Sequence, residues 1–425
     1  NRRVIFRSDT YGIARTLTVN AAPSLTDADF RDLYVIGTSA PLTGTRIGDL
    51  GGVRGVTTST PKTVYWNLAA GGNWSATAWA ASSGGGVSTN NHPLAQDTAI
   101  IENTGLNASA TVTLDAAIAY FGTIDMSTRT NAMTLAGTTA YTVYGDWKFG
   151  SGVTRTYNGA LTFAGREKTQ TITSAGKAFA QGITIDAFGS SVELADALNI
   201  GINTLTVTNG TFNTKNNNLT VFNLSSSSSN VRTINLGSST ITIPGNTGAF
   251  NIADPTNLTF NAGTSLINFS DSSVFGIGVS SGGLSFYNVS FTGTTANTSG
   301  AHSISGVNTF NNLTFTAPAS AGFMQYTFAA NQTINGTLTC AGASAVRRIF
   351  LRSDTIGTSR TLTVNSLSAT DCDFRDIAIA GAAAGSSPTR AGDCGGNSGI
   401  TFPAAKTVYW NLAGAQNWSA TGWCP

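Results

Sequence analysis

The chain reads as an all-β protein, specifically a right-handed parallel β-solenoid interrupted by Trp-rich β-hairpin junctions. Three observations predict this. First, short segments alternate apolar and polar residues with period two: TLTVN at 16–20, TQTITS at 169–174, TLTVTNGTF at 204–212 and NLTF at 257–260. Alternation rich in β-branched residues and broken by Asn, Gly and Ser builds short strands with one buried face, and no window carries a 3.6-residue stripe. Second, a pattern of Phe, any, Asn or Asp, apolar, any, apolar, any, small recurs from Phe286, Phe310, Phe374 and Phe30. Its first two copies stand 24 residues apart, within the ~20–45 residues of a stacked repeat. Third, residues 7–67 return almost word for word as 352–411, so the polypeptide is built from a copied unit.

In chain order, residues 1–61 read as the end of a preceding solenoid unit and 62–92 as a Trp-rich junction with its linker. Residues 93–345 read as the solenoid, 346–405 as the second copy of its end, and 406–425 as the start of the next junction. Each coil leaves an apolar face that only a neighbouring coil covers, and Asn at equivalent turn positions can ladder from coil to coil. The loop at 68–72 reads as a hairpin turn, with Gly71 and Gly72 supplying positive φ. A string of β-sandwich domains is the rival architecture, since its turn spacing is similar. The Trp segment reads as a junction that caps one solenoid and seats the next, because an open final coil is an unpaired edge.

Composition bounds the function classes. Charged residues are 10% of the chain and the net charge is +2, against about 25% charged in an ordinary domain. That balance gives no basis for nucleic acid or anionic lipid as partner. There is no 18-residue apolar run, and no membrane insertion is expected.

The charges concentrate in the duplicated modules, where Asp27, Asp29, Asp32 and Asp49 recur as Asp371, Asp373, Asp376 and Asp393, and Arg15, Arg31 and Arg46 as Arg360, Arg375 and Arg390. Two readings compete. The four carboxylates Asp27, Asp29, Asp32 and Asp49 could hold Ca²⁺, which takes six to eight oxygens. Alternatively, Arg forks pair with them and fix a junction, which the similar numbers of Arg and Asp favour. Cys372 and Cys394 replace Ala28 and Leu50 of the first copy. Two thiols gained together suggest a disulfide; two free thiols are the alternative. Trp66, Trp74 and Trp79, with Trp410, Trp418 and Trp423, form either a sugar-stacking face or the small core of their module.

No Ser–His–Asp set, HExxH, CxxC or phosphate loop is present, and neither catalysis nor a cofactor is expected. His92 reads as solvated in the linker and His302 as part of a Ser/Gly-rich turn. Asp186, Glu193 and Asp196 would face one groove if they lay on adjacent coils, as a polysaccharide-cleaving site requires; exposed turn carboxylates are the plainer reading.

The string YWNLAGAQNWSATGW at 409–423 resembles the YW-x-G-x-GNW-x4-W segments of very large secreted bacterial surface proteins. Similar segments, followed by Asn/Thr/Ser/Gly-rich β-helical repeats, occur in phage virion fibre-type proteins, and the F-x-N-[VL]-x-F coils are similar to right-handed β-helix repeats in both groups. The resemblance implies a long virion-borne or extracellular fibre that binds a host or cell-surface glycan or receptor. It implies homo-oligomers, trimers by family habit, or other virion proteins as further partners. It carries over no catalytic residue. The expectation is a phage tail fibre or virion appendage; a giant secreted adhesin is the alternative and a polysaccharide-degrading tailspike the second.

Overall fold

The structure is a computed structural model and describes residues 3–115, 120–244, 249–270, 276–296, 300–414 and 416–425. The chain is all-β with almost no helix, a parallel β-solenoid of about 15 turns. It divides into two compact units. The first is Asn1–Val221 with Ser228–Ser239 and Thr256–Asn261; the second is Phe222–Ser227, Thr240–Pro255 and Ala262–Pro425.

The first unit opens with a small three-faced solenoid. Val4–Arg7, Ala28–Arg31 and Gly48–Asp49 pair in parallel, as do Arg15–Thr18 with Leu33–Ile36 and Leu25–Thr26 with Gly44–Thr45. Its corners are Asp27, Asp32 and Arg46, all left-handed at φ 54, 51 and 54. Asp enters that region more readily than most non-glycine residues.

The larger stack begins in the Trp segment itself. Thr63–Trp66 pairs antiparallel with Trp79–Ala80 and parallel with Thr98–Ile100. Gly71–Asn73 leaves the hairpin and pairs in parallel with Ala110–Thr113 on another face. The hairpin therefore closes through residues 67–78, and the expected turn at 68–72 instead swings the chain from one sheet to the next. Gly71 has φ 76, and a Cβ there would lie 2.1 Å from the Thr111 carbonyl. Parallel coils then follow: Leu161–Phe163, Ile183–Leu194, Thr204–Asn213, Arg232–Asn235 and Leu258–Asn261. Alternation sends Ile183, Ile185, Leu205, Val207 and Ile234 inward, all buried.

The second unit shows the 24-residue repeat as stacked coils. Phe286 faces Phe310, Asn288 faces Asn312, Val289 faces Leu313 and Phe291 faces Phe315. The Phe286 and Phe310 rings stack at 5.4 Å and 12°. Asn312 Nδ2 donates to Asn288 Oδ1 at 3.0 Å, while Asn312 Oδ1 accepts from Thr337 N at 2.8 Å. The amide ladder thus passes from coil to coil.

The Phe30 and Phe374 segments match this pattern only in sequence. Phe374 lies in Cys372–Arg375, paired under Leu351, whereas Ile377–Ala380 pairs with Arg360–Thr370 in a different sheet. Asp376, at φ 55, turns the corner between them, while Asn288 and Asn312 sit within single strands. One residue type at one spacing therefore makes a corner in one place and a ladder in the other.

Cutting Phe310→Ala removes one ring from a dry stack. The expected loss is about 3–5 kcal/mol, against under about 0.5 kcal/mol for the outward Thr314→Ala. Urea unfolding of the two variants measures the difference.

Candidate functional site

Arg forks meet the Asp residues of the duplicated module in the same way in both copies. Arg3 donates from Nε and Nη2 to Asp29 at 2.7 and 2.8 Å, and Arg348 does so to Asp373 at 2.7 and 2.7 Å. Arg46 forks Asp27 at 2.7 and 2.7 Å, and Arg390 forks Asp371 at 2.6 and 2.6 Å. Arg3 and Arg348 also reach the carbonyls of the corner residues Arg46 and Arg390, so each guanidinium ties its own coil to the next two. The Arg46 fork holds the Asp27 carboxyl below its ordinary range. Asp32 Oδ2 accepts from Gly12 N, and Asp49 Oδ1 from Gly51 N. The four carboxylates considered for calcium are thus directed at arginines and turn amides. Among the described residues no group of three or more His, Cys, Asp or Glu converges as a metal site. Arg3 was missed in the sequence, although RRVIFRS and RRIFLRS align it with Arg348.

The first module also lies against the flank of its own unit. Leu50, Ile5 and Tyr11 pack with Ala95, Tyr120, Tyr144 and Ala164. Tyr11 OH donates to the Ala164 carbonyl at 2.7 Å, and Arg166 pairs with the buried Asp32. The Arg166 guanidinium then lies 4.9 Å from the centre of the Phe188 ring.

Beside Phe188 opens a groove of about 640 Å³. Its lining includes Glu167, Lys168, Thr169, Ser191, Thr211 and Val231. The sequence builds it through a bulge. Ile183–Leu194 loses register between Asp186 and Ser191, Gly189 turns at φ 69, and Phe188 is left 38% exposed. Glu167, Lys168 and Thr169 are all exposed at the edge of this groove. A partly exposed ring beside rows of hydroxyls and the charged residues Glu167, Lys168 and Arg232 has the chemistry to hold a sugar: an apolar C–H face on the ring, hydroxyls on the rim. Nothing in the alternating pattern distinguishes these hydroxyls from those of any outward face; the break at FGS, residues 188–190, is the one available signal.

The other candidates separate. Trp66, Trp74 and Trp79 are fully buried and cannot stack on a ligand; they are the core of their hairpin, with Trp74 and Trp79 4.6 Å apart. Trp410 and Trp418 are exposed, and Trp423 is intermediate. Asp186 and Glu193 share one coil, not adjacent coils. Asp186 accepts from Asn209, Glu193 sits 3.7 Å from Lys215 Nζ, and Asp196 accepts from Ser174 N and Ala175 N at 2.7 and 2.7 Å.

Cys372 and Cys394 are both free, the first buried and the second exposed. Asp373 faces Gly392, so continuing that register sets the two cysteines three positions apart along the strands. That offset is about 10 Å, beyond the ~4.4–6.8 Å a bridge spans.

Both histidines also differ from expectation. His92 is buried among its neighbours, and neither ring nitrogen has a partner among the described residues. His302 lies in the strand His302–Ser305, buried, with Nδ1 accepting from Ile277 N at 3.1 Å. Burial lowers each pKa to about 4.

Comparison with family models, curated proteins and solved structures finds no match.

Each histidine is neutral when folded and takes up a proton more readily when unfolded. The stability it contributes is complete above about pH 6.5 and lost as pH falls toward about 4. Melts between pH 7 and pH 4.5 should show a decline of up to about 2 kcal/mol per ring. His302→Gln and His92→Gln should flatten that decline.

EDTA should leave the melting temperature unchanged, because arginines already satisfy the Asp clusters. Arg348→Met should lower the urea midpoint by stripping Asp373 of its fork.

Proposed function

We propose that the chain is a structural and adhesive segment of a long repetitive fibre, a phage tail fibre or comparable virion appendage that attaches to a host surface. The observation that carries this reading is the in-register parallel stacking of coils with a hydroxyl-lined groove on the flank. Stacking serves a fibre because backbone hydrogen bonds run between neighbouring coils, giving stiffness along the stack without dependence on any one side chain. The groove beside Phe188 serves adhesion because its ring and its Thr and Ser hydroxyls match the faces of a sugar. The partner is then a cell-surface glycan, and the setting is a virion or the outside of a cell. The role is mechanical and adhesive rather than hydrolytic, since Asp186, Glu193 and Asp196 each hold a local structural bond.

The test is binding of the purified chain to immobilised bacterial surface polysaccharides. Binding is expected, and Phe188→Ala should weaken it by about two- to tenfold, an aromatic-stacking contribution of the usual size, while Thr314→Ala leaves it unchanged. Absence of binding to any surface glycan or intact host cell would remove the adhesive part. Reducing sugar released from capsule, and lost on Asp186→Asn or Glu193→Gln, would replace the reading with an enzymatic one.

A further inference from the structure

Two copies of one hairpin stand in different surroundings. Trp66 faces Trp79, and Trp410 faces Trp423, in the same antiparallel register. Trp74–Trp79 and Trp418–Trp423 ring centres lie 4.6 and 4.3 Å apart, with similar tilts of 61° and 62°. The indole Nε1 of Trp79 donates to the Trp74 carbonyl and that of Trp423 to the Trp418 carbonyl, at 3.2 and 3.0 Å. The second hairpin is therefore preformed. Yet its Trp418 is 80% exposed and its Tyr409 62%.

The first copy shows what covers such a hairpin. Thr98–Ile100 adds to Thr63–Trp66 as a parallel strand, and Ala110–Thr113 adds to Gly71–Asn73. Phe121 closes on Trp74 with ring centres 4.9 Å apart, and Ser75 N donates to Asp115 Oδ1 at 3.0 Å.

A separate part of the module repeats the contrast. Leu50 is buried against Ala95, Tyr144 and Ala164, while its counterpart Cys394 is exposed. Tyr11 bonds to the flank, while its counterpart Ile356 is 76% exposed. Asp32 pairs with Arg166; among the described residues, Asp376 has side-chain partners only within its own module.

We infer that the Tyr409–Cys424 face, together with Ile356, Cys394 and Asp376, is the seat of a further solenoid unit joined in tandem. That unit presents a first coil with the chemistry of Thr98–Ile100, Ala110–Thr113 and Phe121, and a flank carrying an arginine equivalent to Arg166. A second whole copy of this chain cannot supply the coil, because its own hairpin at 63–80 already covers it. The seat fits a coil that has no hairpin of its own, which is what a unit following in tandem offers. The inference concerns how units join, and stands whether or not the groove beside Phe188 binds glycan.

The test is a two-period chain, residues 1–425 followed directly by 82–425, compared with the one-period chain by iodide quenching of tryptophan fluorescence. Circular dichroism checks that both periods are folded. The two-period chain carries two Tyr409–Cys424 hairpins, yet should expose the tryptophan of one, so the quenchable signal per hairpin falls about twofold. Trp418→Ala confined to the inner hairpin should leave the quenchable signal unchanged, and confined to the outer hairpin should remove most of it. Equal exposure of both hairpins would overturn the inference. So would self-association of the one-period chain that shields Trp418, or shielding of Trp418 by a surface glycan.

Discussion

Everything in this fold depends on a coil having another coil against it. Ile349, Leu351 and Leu362 are buried beneath the strands Gly322–Phe328 and Gln332–Ala341. Burying a side chain of this kind is worth about 1.5–3 kcal/mol, so each coil gains most of its stability from the next. Propensity alone gives a single coil little, and stability accumulates along the stack as a sum over neighbouring pairs.

Stacking solves the regular strands but leaves register shifts and corners, where backbone amides lose their ladder. Two devices handle them. Within strands of the second unit, Asn312 donates to Asn288 and accepts from Thr337 N where the register shifts between Phe310 and Leu313. In the duplicated module, left-handed Asp residues accept turn amides with one oxygen, and Arg forks hold Asp carboxylates coil to coil. The second device is stiffer, since a planar guanidinium fixes both distance and orientation. It occurs where the module must also present a surface, the one that packs Leu50 and Tyr11 onto the flank of the first unit.

The alternation of Ile183, Ile185, Leu205 and Val207 made the strands and their buried faces legible, because period two follows directly from the pleat. The Asn288–Asn312 ladder was legible for a similar reason: an in-register stack turns sequence period into contact. Three features were not. The FRDI segments share letters with FNNL, but the corner at Asp376 depends on backbone φ, which no spacing encodes. His92 looked like a linker residue because it precedes Pro93 in a polar stretch, and no local pattern marks it as buried. The groove at Phe188 arises from a bulge, and a bulge is a local loss of the pattern on which the reading relied. The Arg–Asp pairing was half legible: equal numbers of opposite charges in each copy argued for it, but the fork from Arg3 to Asp29 required knowing which strands adjoin.

The low charge of the chain follows from the same geometry. In a parallel, in-register stack, equivalent positions on successive coils sit about 4.8 Å apart. Two like charges at that separation repel by about 3 kcal/mol at an effective dielectric near 20, and a column of them would repeat the cost at every coil. Thr, Ser and Asn bear no such cost and can bond along the column. A charge is tolerated where the next coil answers it: Lys148, in register with Asp125, lies 3.0 Å from Asp146 and 3.6 Å from Asp125. Arg and Asp gather most readily where opposites adjoin, as Arg3 and Arg46 do with Asp29 and Asp27, and Arg348 and Arg390 with Asp373 and Asp371. The duplicated module also sets Arg7 beside Arg31 and Arg352 beside Arg375 in register, so this rule covers its Asp residues and not all of its arginines.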